Sequence, residues 1–311
     1  MKKIFVGIVL ICCNTFAGAS IDTITKILST SSFMWYQYWS ISNIFALILF
    51  LVFLIFNGGI KKHLILEKRS NYLIPVLRGI LFIPIPILIF FSLRYLPLNI
   101  YTSILITMPF FIFIFSKILQ KEKINFIHWL IILLGFIGAL LVIKPDLNAI
   151  NVYMILIFAM PILGGILNVV VSKYSDKATA LGYSFYFFFP ITLISTILFL
   201  FDPIIPSNRE LLLLFFSGLF FIIITITWTA AFHIAGKHSS IISPFIYTQI
   251  VWASIFGGIF FGESLDIIAI FGLILIIASG TITIMFTPKK INWKNLYILS
   301  LLGHLIKFFW S

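Results

Sequence analysis

The fold class the sequence predicts is an all-α polytopic membrane protein: ten transmembrane helices in two inverted five-helix repeats, plus a C-terminal amphipathic helix. Three observations lead there. The 311 residues are 61% hydrophobic and only 10% charged, against roughly 45 to 50% apolar and roughly 25% charged in soluble domains. Apolar runs long enough to cross a bilayer recur along the chain. The 21 Lys and Arg residues gather between those runs with a strong bias to one side. In a soluble protein the net charge of +12 would suggest nucleic acid. Spread between apolar runs it records topology instead, and no nucleic-acid partner is expected.

Ten runs are drawn, at 4–25, 33–56, 72–93, 97–119, 125–143, 152–172, 180–201, 211–234, 240–261 and 266–287. Turn-type or charged segments punctuate them, among them Asn57-Gly58-Gly59, Lys144-Pro145-Asp146 and Pro206-Ser207-Asn208. The first run also fits a signal peptide, with Met1-Lys2-Lys3 before it and Ala17-Gly18-Ala19-Ser20 as a cleavage site. An uncleaved helix is the preferred reading, because the repeat needs it. With the N-terminus inside, Lys26, Arg94, Lys144 and Arg209 fall outside, and the other seventeen basic residues, Arg78 among them, fall inside. That split obeys the positive-inside rule and predicts a bacterial inner-membrane protein with both termini cytoplasmic.

Residues 1–147 and 148–288 form the two expected five-helix units. A shift of 141 residues superposes Thr107 on Thr248, Phe115 on Phe256, Ile118 on Ile259 and Glu122 on Glu263. An odd number of helices per unit turns the second upside down, so Glu122 is expected inside and Glu263 outside, with a binding site at midplane between the units. Beyond them, 289–311 is expected to lie on the cytoplasmic leaflet. There Ser300, His304, Lys307 and Ser311 share one stripe of an otherwise apolar helix.

Leu77-Arg78-Gly79 opens the third helix, and Arg94-Tyr95-Leu96-Pro97 leads into the fourth. Glu122 runs through Trp129 to Leu134-Gly135-Phe136-Ile137-Gly138. The second half offers Tyr247 to Trp252, Phe261-Gly262-Glu263 and Gly280. On these residues the chain resembles the EamA-domain branch of the drug/metabolite transporter superfamily, over about 4–287. Its first half is somewhat similar to the S-adenosylmethionine uptake carriers, at Arg78-Gly79 and from Leu134 to Lys144-Pro145. Many relatives carry an Arg in the second helix, where this chain has Tyr36-Gln37-Tyr38-Trp39-Ser40. The resemblance implies a secondary transporter of a small organic metabolite: an amino acid, an amino-acid derivative or S-adenosylmethionine. It implies a small-molecule substrate and a lipid bilayer as partners, and it is compatible with a homodimer.

Counting inward from the span ends picks out the midplane residues. Asn14, Thr107, Trp228, Gln249 and Trp252 are the candidates for substrate binding, in a cavity lined by helices 1, 3, 4, 8 and 9. Asn14, Gln249 and Asn43 are amides that must find partners in hydrocarbon. Each can equally serve as interhelical glue. Trp228 and Trp252 could stack on a planar or cationic substrate, while Trp35, Trp39, Trp129 and Trp293 fall near span ends and read as interfacial anchors. Asp22 is the candidate for coupling; the plainer reading pairs it with Lys26 one turn on.

Pro84, Pro86, Pro109, Pro161, Pro190 and Pro244 interrupt spans and predict kinks. Ser254, Gly258 and Gly262 form a small-residue stripe suited to close packing. The histidines at the helix ends read as solvated. Cys12 and Cys13 are adjacent in an apolar run, which leaves no ordinary bridge or zinc cluster. No metal, cofactor or catalytic residue is expected. A lipid-modifying membrane enzyme is the alternative class, but it would need convergent acid, base or metal ligands that the sequence does not present. No glycine-rich nucleotide loop is present, so ATP-driven transport by this chain alone is excluded.

Overall fold

The computed structural model describes residues 2–29, 33–95, 101, 104–122, 125–144, 152–262 and 265–286. The expected C-terminal helix at 289–311, and Glu263, lie outside the described residues. Among the described residues the α-helices are α1 Lys2–Ser29, α2 Trp35–Phe56, α3 Ile60–Leu64, α4 Leu73–Phe82, α5 Pro84–Tyr95, α6 Met108–Leu119, α7 Phe126–Ile143, α8 Val152–Ile157, α9 Ala159–Lys173, α10 Ala180–Phe201, α11 Asn208–Ala235, α12 Ser239–Ile242, α13 Thr248–Phe261 and α14 Ile267–Phe286. No strand occurs among the described residues. Lipid offers a backbone no hydrogen bonds, so spanning segments must satisfy their own.

Among the described residues, eight segments are long and apolar enough to cross a membrane: Ile4–Ser29, Trp35–Phe56, Arg69–Tyr95, Phe126–Ile143, Val152–Lys173, Ala180–Phe201, Asn208–Ala235 and Ser239–Phe260. Met108–Leu119 and Ile267–Thr283 are shorter apolar helices, at the places of the fourth and tenth expected runs. The chain is a multi-pass membrane protein.

Proline and small polar residues break the spans where the sequence suggested. Pro84 opens α5 directly after the break at Ile83, since proline at a first turn forfeits no intrahelical bond. Pro109 stands in the first turn of α6, behind Thr107, whose Oγ1 donates to the Ile104 carbonyl at 2.7 Å. Pro244 sits in a 3₁₀ turn at Ser243–Tyr247 between α12 and α13. Pro190 lies in the interior of the continuous helix α10, well past its first turn. At the start of α11, Ser207 and Glu210 cap each other reciprocally, the Ser207 amide donating to Glu210 Oε2 at 2.8 Å.

The bundle is held by close helix pairs. The α1 helix packs on α11 and α13, α2 on α10 and α11, α4 on α10, α6 on α9, and α7 on α14. Glycine sets two of these approaches. A Cβ on Gly79 would stand 2.0 Å from the Tyr186 carbonyl oxygen of α10. Gly138 and Gly272 face each other across α7 and α14, where added Cβ atoms would lie 2.7 and 2.5 Å from the opposite glycine's carbonyl oxygen. The stripe in α13 does not behave as expected: Gly258 is exposed, and Gly262 ends the helix at φ +68 with nothing within 4 Å. Its role is termination, because α13 turns its packed face to α1 instead.

Candidate functional site

A cavity of about 170 Å³ lies among α1, α2, α4, α5, α9, α10, α11, α13 and the breaks before α6 and α13. Its wall is apolar and aromatic, with Trp39, Phe82, Tyr101, Phe187, Phe221 and Trp228 contributing rings. Two charged side chains reach it, Asp22 and Arg78.

Of the residues singled out from sequence, Asn14, Asp22, Trp228 and Gln249 line this cavity. Asn14 Nδ2 donates to the Ile224 carbonyl at 2.8 Å and Thr227 Oγ1 at 3.3 Å, so this amide also stitches α1 to α11. Gln249 Nε2 donates to Asp22 Oδ2 at 2.9 Å. Gly18 makes room for that pair, since a Cβ there would stand 3.2 Å from the Gln249 amide. Trp228 Nε1 donates to Asn168 Oδ1 at 2.6 Å.

Thr107 and Trp252 lie outside the cavity wall. Thr107 turns its hydroxyl back onto its own chain. Trp252 meets Phe16 edge-on at 5.1 Å, and Phe16 is itself exposed on the outer flank of α1. The face each occupies turns it away from the cavity. Asn43 is fully buried with neither amide atom hydrogen-bonded, so it does not act as glue.

Several site residues escaped the sequence reading. Arg78, counted there as a loop cation, is 2% exposed inside the span Arg69–Tyr95. Trp39, expected as an interfacial anchor, is buried, and its Nε1 donates to the Pro86 carbonyl at 3.0 Å. Asn168 was not considered, although it is an amide within an apolar span, the signal used for Asn14. His63, expected to be solvated, is buried between Thr179 Oγ1 at 2.9 Å and the Asn57 carbonyl at 2.8 Å. That burial holds its imidazole below the usual range.

The helix ends beside the N-terminus of α1 are knitted by polar contacts. Gln120, just after α6, donates through Nε2 to the Gly236 carbonyl at 3.0 Å. Ser239 Oγ reaches Gln120 Oε1 at 3.3 Å and Ser172 Oγ at 2.8 Å. Ser240 Oγ donates to Glu122 Oε1. Burial pushes the Glu122 carboxyl above its ordinary range, while the bonds from Ser240 oppose the shift. These contacts join residues before 123 to residues after 168 and close this end of the bundle.

Residues 5–144 match the EamA-like transporter family. The S-adenosylmethionine uptake transporter of Rickettsia prowazekii (strain Madrid E) is 26% identical over 246 residues, 79% of this chain and 81% of that protein. Its counterpart in Rickettsia bellii (strain RML369-C) is 25% identical over 81% of this chain and 84% of the relative. The pseudopaline exporter CntI of Pseudomonas aeruginosa (strain UCBPP-PA14) is 25% identical over 68% of this chain and 75% of its own length. A solved crystal structure that is 13% identical superposes with a TM-score of 0.73, covering 93% of this chain and 99% of the other. That likeness speaks for the fold. With the EamA-like match over 5–144 and relatives named as transporters across most of the length, the chain is similar to EamA-type transporters and carries an EamA-like region over 5–144.

Proposed function

We propose that this protein is a secondary transporter that moves a small organic metabolite across the bacterial inner membrane by alternating access. In this reading two inverted five-helix halves, 1–147 and 148–288, rock about the cavity, and both termini are cytoplasmic. The observation that carries it is the cavity itself, which takes walls from both halves and holds one basic and one acidic side chain. Several of the close helix pairs support an inverted repeat, because their partners exchange between the halves. The α1–α13 contact is answered by α9–α6, α2–α11 by α10–α4, and α7–α14 and α2–α10 map onto themselves. The 141-residue shift supports it too: Thr107 bonds the Ile104 carbonyl and Thr248 the Phe245 carbonyl, each at 2.7 Å. With Arg78 withdrawn from the loops, the basic residues still divide sixteen to four, which supports the orientation.

The substrate class follows from the aromatic wall and from the named relatives: S-adenosylmethionine, an amino acid or an amino-acid derivative. Reconstituted protein in liposomes is expected to accumulate labelled S-adenosylmethionine or exchange it for internal unlabelled compound. A parallel panel of amino acids and nucleosides should show competition. No uptake, exchange or thermal stabilisation by any member would overturn the reading.

Asp22 is proposed to couple transport to protons. It reaches the cavity, and its carboxylate meets a neutral amide, Gln249. Asp22→Asn is therefore expected to lose pH-gradient-driven uptake while retaining substrate exchange. Gradient-driven uptake at the wild-type rate would remove Asp22 from that role.

A further inference from the structure

We infer that Arg78 is the receptor for a carboxylate of the transported molecule, so that the substrate is an acid-bearing metabolite and not a simple organic cation. This rests on the transporter reading above and narrows it.

The placement of Arg78 begins at its neighbour. Gly79 brings α4 against the α10 backbone, and that approach lays the guanidinium on α10. Its carbon lies 4.2 Å from the Phe187 ring centroid, and one terminal nitrogen donates to the Tyr183 carbonyl at a long 3.3 Å. Among the described residues no other group accepts a hydrogen bond from it. Nε is buried without a hydrogen-bond partner, and among the described residues no carboxylate lies within ion-pair distance of Arg78. A guanidinium keeps its charge in proteins and offers five donors in a planar fork. An unpaired charge at this depth is costly, and in membrane proteins such residues mark substrate or ion pathways.

The cavity's acid does not supply the missing partner. Asp22 is engaged with Gln249 and stands nearer the C-terminal end of α1, whereas Arg78 lies early in the Arg69–Tyr95 span. Spans one and three run the same way, so at about 1.5 Å per residue the two charges sit well apart along the membrane normal. Trp39, Tyr101, Phe221 and Trp228 are part of the same wall. An elongated molecule with a carboxylate at one end and a planar or cationic group towards the other matches this distribution. Bidentate pairing with a carboxylate would use the unsatisfied edge of Arg78.

The test compares acids with their decarboxylated amines in proteoliposomes. The pairs are S-adenosylmethionine and its decarboxylated form, methionine and 3-(methylthio)propylamine, and tryptophan and tryptamine. Wild-type protein is expected to take up at least one acid with a kcat/KM at least ~10-fold above that of its amine. Arg78→Gln should lower that value to the amine's level, mainly through KM, and Arg78→Lys should recover part of it. Ligand-free Arg78→Gln should keep a Tm close to wild type, because removing an unpaired buried charge offsets the loss of the long Tyr183 bond and the Phe187 contact; a purely structural arginine would lower it. A preference for the amines in wild type, or an acid preference that survives in Arg78→Gln, overturns the assignment while leaving the transporter reading intact. Uptake of none of the six compounds, with no thermal stabilisation by them, overturns both.

Discussion

Joining position 120 to position 239 through introduced cysteines is expected to stop transport completely. In a Cys12→Ser, Cys13→Ser background, Gln120→Cys and Ser239→Cys would be linked with a short, reducible bifunctional thiol reagent. The native side chains already touch, with Ser239 Oγ 3.3 Å from Gln120 Oε1. The contact joins the end of α6, in the proposed first half, to the start of α12, in the second. If the halves separate at this end in each cycle, a covalent link holds one state, and a transporter confined to one state moves nothing. Uptake should fall to that of empty liposomes and return on reduction, with each single-cysteine variant active. Full-rate transport by completely linked protein would show that this end does not open. Cutting the same contact is milder, since a hydrogen bond contributes about 1 kcal/mol net. Gln120→Ala should shift the balance between states without stopping the cycle.

Gly138→Leu is expected to damage the bundle severely. At position 138 the added Cβ would meet the Gly272 carbonyl at 2.7 Å, with Leu275 and the Ile276 amide also within 3.1 Å. The first obstacle is backbone, which cannot swing aside as a side chain can. Forcing extra volume into a packed interface costs about 1 to 3 kcal/mol or more. Lipid tails solvate Leu as well as a helix does, so separating α7 from α14 meets little hydrophobic resistance. Detergent-solubilised Gly138→Leu should lose its monodisperse peak in size-exclusion chromatography, or melt well below wild type. The control is Gly258→Leu on the exposed face of α13, expected to behave as wild type. Wild-type melting of Gly138→Leu would mean that the two glycines do not meet.

Much of the architecture was legible because the bilayer allows few solutions. Runs of about twenty apolar residues must become helices that satisfy their own backbones, and basic residues mark the loops between them. The breaks at Pro84, Pro109 and Pro244 were legible for a similar reason, since a proline without an N–H cannot continue a helix unaided. Polar side chains inside apolar runs pointed to Asn14, Asp22 and Gln249, because hydrocarbon tolerates such groups only where they serve a contact or a function.

The apolar runs were readable from the sequence, and the helix face was not. Thr107, Trp228 and Trp252 were all read as mid-span residues, yet Trp228 lines the cavity, Thr107 turns back to Ile104, and Trp252 packs on the exposed ring of Phe16. Arg78 was counted on the cytoplasmic side and His63 was read as solvated, because Lys, Arg and His near a cytoplasmic boundary usually face water. Only the approach of α4 to α10, permitted by the missing Cβ of Gly79, turns Arg78 inward, and only the fold of 57–64 against Thr179 buries His63. Hydropathy along the chain therefore determined that this protein spans the membrane many times and roughly where each span begins and ends. Which side chains share its cavity was decided by how each helix is rotated against its neighbours. In lipid that rotation is set by van der Waals fit and a few interhelical hydrogen bonds, and neither leaves a periodic signal in the sequence.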